Sequence, residues 1–248
     1  MRFLLSALLV VLASISTSSV ADDRVIRLAS LEWPPYASAR SSSGGTVTDT
    51  VRRALAASGY RLVVEYHAWP NAIALGETGK GFVGYFPTYY SADRDRRAEL
   101  SDPVGESPLG LAQRADSPSA WATLDDLRAM RLGVVEGYIN TASLDRRISA
   151  GEQPAEIAVD DASNLMQLAA GRIDLAVIDS KVFANLMGND PRLARLRGQL
   201  AMNSRMLELK SLHVAFRRTP EGRRYSRALS EGLRKIGYQA PVFNQGIH

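Results

Sequence analysis

The spacing of apolar and polar positions changes several times along the chain, and each change marks an element. Val25 to Ala29 reads as a strand that runs into a loop over 30–45, which carries Trp33-Pro34-Pro35-Tyr36 and ends in Ser41-Ser42-Ser43-Gly44-Gly45. Val47, Val51 and Leu55 then fall at four-residue spacing, predicting one face of a helix that Gly59 is placed to end. Arg61 to Tyr66 alternates and is rich in β-formers, so it predicts a second strand, and Phe82 to Tyr85 a third. A second set of short strands is expected at Leu132–Val135, Glu156–Val159 and Leu175–Ile178, with helical patterns over 141–150 and 162–170 between them. Pro220 to Ile236 is the clearest helix: proline suits its first turn, Tyr225, Leu229 and Leu233 share a face, and Gly237 stops it.

Strand–helix–strand–helix–strand therefore occurs twice, followed by a return segment, which is the pattern of an α/β fold. The first passage between the two sets is expected within 106–116, where Ser107-Pro108-Leu109-Gly110-Leu111 follows a turn-rich Ser101-Asp102-Pro103. The return is expected near 208–213. These boundaries give a first lobe from 22–108 and 212–248 and a second from 109–211. Two lobes joined by two crossings enclose a cleft, and such clefts are the preferred ligand sites.

Composition removes several functions. The chain of 248 residues has no cysteine, which excludes disulfide scaffolds, thiol nucleophiles, cysteine-ligated metals and lipid anchoring on cysteine. The net charge of +4 is small and evenly spread, so it gives no nucleic-acid footprint. Lysine occurs only at Lys80, Lys181, Lys210 and Lys235, so arginine supplies most of the cations. His67, His213 and His248 are too far apart for metal-ligand spacing, and no phosphate-loop, dinucleotide, nucleophile-elbow or zinc-protease motif occurs. No metal, cofactor or catalytic residue is expected.

The first 21 residues read as an export leader. Met1-Arg2 is a positive start, Phe3 to Ile15 is apolar apart from two serines, and Ser19-Val20-Ala21 has the small-x-small form of a cleavage site. The apolar stretch is shorter than the roughly 20 residues that span a bilayer. A periplasmic protein beginning at Asp22, without a lipid anchor, is expected.

The stretch Phe86-Pro87-Thr88-Tyr89-Tyr90-Ser91-Ala92-Asp93-Arg94, running on through Asp95 to Ser101-Asp102-Pro103, closely resembles a segment of bacterial solute-binding protein family 3, the periplasmic receptors of polar amino-acid ABC importers. Counting back from Ser101-Asp102-Pro103 puts Arg94 on the family's arginine, which clamps a ligand carboxylate. Trp33-Pro34-Pro35-Tyr36 is similar to the aromatic loop after the family's first strand, and Trp69 to the aromatic before its short helix. Leu132-Gly133-Val134-Val135-Glu136-Gly137 is similar to the entry to the second lobe. Gly171-Arg172-Ile173-Asp174-Leu175-Ala176-Val177-Ile178-Asp179 is similar to a segment whose last aspartate takes the ligand ammonium, and 212–237 to the closing strand and helix. The resemblance implies a two-lobed periplasmic-binding-protein-like fold of type II with its ligand between the lobes. It further implies a monomer that captures a small polar solute, an amino acid first, for an ABC permease in the inner membrane.

The chemistry suits those roles. Arginine offers a planar fork of donors to both carboxylate oxygens and stays charged. Aspartate accepts from an ammonium, so Arg94 and Asp179 on opposite lobes would grip the two ends of a zwitterion. Trp33, Tyr36 and Trp69 would wall the pocket, Gly137 would free backbone N–H groups for the carboxylate, and the hydroxyls of Tyr89 and Tyr138 would turn inward. Composition alone reads differently: Arg94 stands beside Arg96 and Arg97 as in a solvated turn, Asp179 is placed to cap a helix at Ser180, and Trp69 suits core or pocket equally. The sequence also departs from the family. Phe86, Pro87 and Tyr89 stand where polar receptors carry small hydroxyls, Phe82 replaces a first-lobe aspartate, and Tyr138-Ile139 replaces a Thr-Thr pair. Two alternatives stay open. One is a periplasmic lyase, similar to the cyclohexadienyl dehydratases, with Glu32, Glu136 or Asp179 as its acid. The other is a ligand-sensing accessory protein.

Overall fold

The computed structural model describes residues 24–240, so the leader lies outside the described residues. Nine strands form one mixed sheet in the order β2-β1-β3-β9-β5-β8-β6-β7, with β4 off this path against β9. In chain order the first part is β1 (Val25–Ser30), α1 (Thr46–Ala57), β2 (Arg61–Tyr66), α2 (Trp69–Thr78), β3 (Gly84–Tyr89), α3 (Ala92–Arg97) and β4 (Ala98–Leu100). The middle comprises β5 (Gly105–Arg114), β6 (Leu132–Val135), α4 (Ala142–Ser149), β7 (Ala155–Ala158), α5 (Asp161–Ala169), β8 (Leu175–Asp179) and α6 (Ser180–Asn189). The chain closes with β9 (Leu200–Arg217) and α7 (Pro220–Lys235).

Parallel pairs β1–β2 and β1–β3 make one half of the sheet, and parallel pairs β6–β7 and β6–β8 make the other. Helices follow strands in both halves because parallel neighbours need a crossover connection. The two halves meet at β9. Its last residues pair antiparallel with β3 and β4, from Leu212 to Arg217, while Leu200 to Leu212 pairs with β5. The expected lobe boundaries thus fall inside two strands of one ladder, not in loops. That ladder slips register between Leu109 and Gly110 and again before Ala112, where β5 passes from one half to the other.

Each half buries its own apolar layer. Ile26, Leu28, Val51, Leu55, Phe216 and Leu229 are fully or almost fully buried in the first, and Leu111, Leu132, Leu165, Leu168 and Leu175 in the second. The helix α7 follows the pattern expected of it: Thr219 caps it by accepting from Gly222 N, and Tyr225, Leu229 and Leu233 face inward. The third strand is longer than its apolar run suggested, because β3 continues through Pro87 to Tyr89 with a bulge between Tyr85 and Thr88. No helix among the described residues is long and apolar enough to cross a membrane.

Candidate functional site

Arg94 lies in the six-residue α3, whose start is fixed by Ser91 accepting from Arg94 N at 3.1 Å. Over one turn the three arginines separate. Arg96 and Arg97 stay exposed and pair with Asp93 at 3.1 and 2.9 Å, as a solvated basic turn would. Arg94 points inward and is only 6% exposed. Its Nη1 donates to Thr88 Oγ1, and its guanidinium carbon stands 5.6 Å from the ring centres of both Trp69 and Tyr85. Its buried Nε has no hydrogen-bond partner. Burial lowers its pKa, but a guanidinium remains protonated in water-excluded surroundings. No carboxylate lies within ion-pair distance of Arg94 among the described residues.

Arg94 and Thr88 are the polar, non-aromatic part of a small pocket otherwise made of Trp33, Trp69, Tyr89 and Tyr138, with Leu31, Pro87 and Ile139 completing it. The cavity measures about 20 Å³, room for a single water. Its rings meet edge to face. Trp33 stands 6.0 Å from Tyr89 and 6.2 Å from Tyr138, and Trp69 stands 6.5 Å from Tyr138. Lys210, also buried, places Nζ 5.5 Å from the Tyr89 ring and pairs with Glu208 at 3.2 Å. Thr88 is a hydroxyl that comparison with the family pattern overlooked, because attention falls on Phe86, Pro87 and Tyr89 around it.

Asp179 ends β8 and caps α6: its Oδ1 accepts from Val182 N at 2.8 Å. Its Oδ2 accepts from Tyr36 Oη at 2.7 Å and from the Ser107 hydroxyl, and Ser107 in turn meets Tyr89 Oη at 2.5 Å. Asp179 is buried and does not line the pocket. Burial raises its pKa, against the pull of these hydrogen bonds. Burial likewise drives Tyr36 far above the ordinary phenol range, with the carboxylate beside it adding to the rise. Ser107 escaped the sequence reading because it sits in what looks like an interdomain linker.

A second carboxylate stands nearer the rings. Asp160 and Asp161 open α5, and they divide the work. Asp160 caps the helix through Ser163 N at 2.7 Å and pairs with Arg192 at 2.8 Å. Asp161 turns inward, where its Oδ2 accepts from Trp33 Nε1 at 3.1 Å and from Tyr138 Oη at 3.2 Å. Burial pushes its pKa up to about 7, while the two hydrogen bonds oppose the rise. No motif announces Asp161; the doubled aspartate before an apolar run was the available signal.

The loop 33–37 therefore reaches across to the second half of the sheet twice, through Trp33 to Asp161 and Tyr36 to Asp179. Trp69 makes a third connection, Nε1 to the Gly137 carbonyl at 3.0 Å. Gly137 holds φ at +72°, and a Cβ there would come within 3.3 Å of the Trp69 ring, so both conformation and space favour glycine. Tyr138 is half-buried with its hydroxyl on Asp161 rather than in the pocket. Gly45 supports the same loop from behind: a Cβ at this φ of +99° would lie 2.5 Å from the Tyr36 carbonyl oxygen.

The remaining candidates lie elsewhere. Glu32 and Glu136 are exposed, and Glu32 accepts from Ala39 N at 2.7 Å. His213 is buried, with Nδ1 2.7 Å from the Ser101 carbonyl and Nε2 2.7 Å from Ser211 Oγ, a satisfied core histidine. No cluster of metal-ligating side chains occurs among the described residues. The arrangement offers one open cationic pole, aromatic walls, and two carboxylates held behind those walls.

No family profile and no curated protein matches the chain. Solved structures do. A histidine kinase sensor domain with similarity to periplasmic binding proteins aligns with a TM-score of 0.73 at 22% identity, covering 86% of this chain and 92% of that one. The arginine-bound form of truncated ArgBP from T. maritima aligns at 0.69 and 18% identity, over 86% and 96%. The GluR0 ligand-binding core from Nostoc punctiforme, in complex with L-glutamate, aligns at 0.65 and 16% identity, over 86% and 94%. These likenesses match the resemblance read from the motifs at the level of architecture, and the chain has the two-lobed α/β fold of periplasmic-binding-protein-like proteins.

Proposed function

We propose that this protein is a receptor for a small carboxylate-bearing solute, an amino acid or a related acid, held between the two lobes with its carboxylate on Arg94. The observation that carries this reading is the buried guanidinium with an unpartnered Nε, set in the cleft with no acid within ion-pair distance among the described residues. A buried charge without a counter-charge is costly, and a ligand carboxylate supplies the missing partner. The cavity measures about 20 Å³, so on this reading the lobes part to admit the solute and close again around it. The lobes so assigned are 22–108 with 212–248, and 109–211. Export to the periplasm by the leader over 1–21 belongs to the same reading.

Delivery of the solute to an ABC permease is the first use of such a receptor, and the bound ArgBP and GluR0 structures support a solute-binding role. A second use, passing occupancy to a signalling partner in the membrane, is favoured by one observation: the sensor domain of a histidine kinase aligns better than either of those two. The solved structures quoted are binding proteins and a sensor domain, which favours binding over a lyase. The test is a thermal-shift screen of the purified protein against amino acids, small carboxylates and polyamines, followed by calorimetry. A ligand bound only by the folded state raises the melting temperature by mass action. Carboxylates are expected to raise it and polyamines to leave it unchanged. A panel in which only polyamines or other cations bind would overturn the reading.

A further inference from the structure

Resting on that receptor reading, we propose that the solute is a carboxylate whose other end is a fully methylated ammonium, a betaine-type zwitterion, rather than an α-amino acid. Two considerations lead there, hydrogen-bond acceptors and charge.

The first concerns hydrogen-bond acceptors. A primary ammonium brings three N–H donors into the cleft, and each needs an acceptor there. Asp179, the group the family resemblance assigns to that task, already receives Tyr36 Oη, the Ser107 hydroxyl and Val182 N, and it lies outside the pocket wall. Asp161 Oδ2 receives Trp33 Nε1 and Tyr138 Oη. Among the described residues the pocket wall carries no carboxylate or amide side chain. A methylated ammonium has no N–H and leaves no donor unsatisfied.

The second concerns charge. Trp33 and Tyr138 meet at 6.2 Å and 78°, and both send their polar hydrogens away from the pocket, onto one oxygen of Asp161. Above about pH 7, where Asp161 is ionised, an anion accepting from the rim of each ring strengthens the negative face that the ring presents on its other sides. Neither Asp161 nor Asp179 has a cation within ion-pair distance among the described residues. Cations that do reach the neighbouring rings are the protein's own: Arg94 on Trp69 and Lys210 on Tyr89. Trp33 and Tyr138 are thus the pair left for a ligand cation, and ring faces are the surfaces that hold quaternary ammonium groups. Arg94, nine-tenths buried with its Nε open, takes the carboxylate at the other end.

Calorimetry with three probes of nearly equal backbone tests this: trimethylglycine, glycine, and 3,3-dimethylbutyrate, the carbon isostere of trimethylglycine that keeps the carboxylate and has a neutral quaternary centre. Trimethylglycine is expected to bind at least tenfold more tightly than either of the others. Trp33→Leu is expected to weaken it at least fivefold. Trp33→Phe, which keeps a ring and gives up the bond to Asp161, is expected to retain most of the affinity and to report folding by its melting curve. Tighter binding of glycine or another primary amino acid, lost with Arg94→Ala, would overturn the methylated-ammonium assignment and leave the receptor reading standing. Equal binding of 3,3-dimethylbutyrate would reduce the rings to an apolar wall and overturn it too. Binding of none of the three overturns it as well, and the receptor reading itself fails only if the wider carboxylate panel is also silent.

Discussion

Arg94 and Asp179 belong to opposite halves of the sheet, and the protein completes their surroundings to very different degrees. Asp179 has both carboxylate oxygens occupied, by a tyrosine, a serine and a helix N–H. Arg94 has one nitrogen on Thr88, two rings alongside, and an Nε with nothing. Both are buried charges, so the usual expectation is that both are satisfied. A charge satisfied from within the chain is part of the framework, because removing it orphans its neighbours. A charge left open keeps a donor that nothing among the described residues satisfies. The contrast separates two residues that pattern matching treats as a symmetric pair.

Substitutions at Arg94, Asp179 and Asp161 break or sharpen this comparison. The largest effect is expected from Arg94→Ala on the affinity of whichever carboxylate the screen identifies. Removing one partner of a buried charge pair costs about 2–5 kcal/mol, roughly thirtyfold to several thousandfold. Arg94→Lys should recover part of that, since a point charge cannot reproduce the fork. Arg96→Ala and Arg97→Ala, on the exposed face, should stay within about twofold. Calorimetry decides it, and three alanine variants that behave alike would erase the distinction drawn above.

Asp179→Ala should act first on stability. It leaves Tyr36 Oη, Ser107 Oγ and Val182 N without their acceptor, and orphaned donors plus a lost cap cost about 2–4 kcal/mol in total. Urea unfolding in the absence of solute would read this. Unchanged stability with a large loss of affinity would move Asp179 to the ligand side of the comparison. Asp179→Asn, which keeps an acceptor oxygen, should lie between.

Asp161 supplies the smallest effect and the sharpest pH signature. Its carboxyl rises on folding from 3.8 to about 7, so between those values the folded state holds a proton that the unfolded chain has released. Stability therefore falls as pH rises through this window, and the fall is complete above about pH 7. Two pH units inside it, from 4.5 to 6.5, correspond to a loss of about 2 kcal/mol. Urea unfolding at the two pH values should show that loss in the wild type and much less of it in Asp161→Asn. Equal slopes in the two proteins would mean that Asp161 is already ionised throughout this window.

What could be read from the sequence follows from what each position has to do. The helix α7 was legible because proline, a four-residue stripe and a final glycine all act locally. Arg94 was legible through its distance from Ser101-Asp102-Pro103, but its inward turn was not, since three arginines in four residues carry no sign of which one the helix buries. The start of β9 was missed because Asn203 to Arg205 and Leu207 to Leu209 are largely exposed, so no apolar alternation marks that stretch. β5 hid behind Pro108 and Gly110, which read as linker and are instead tolerated where the ladder slips. Asp161 was invisible for a simpler reason. The second of two aspartates at a helix start looks like a spare cap, and only the packing of Trp33 and Tyr138 against it shows otherwise.

The position of β9 has a consequence for how this chain comes into being. In the sheet it lies between β3 and β5, and among the described residues no other strand joins those two. A polypeptide emerging with its N-terminus first therefore makes β2-β1-β3 and β5-β8-β6-β7 as separate half-sheets, each with an unpaired inner edge. Both edges wait for Leu200 to Arg217, among the last segments to arrive. Until then each edge is a template for strands of other chains. This interval, late in biogenesis and common to both lobes, is when the protein most depends on being kept apart from its own copies.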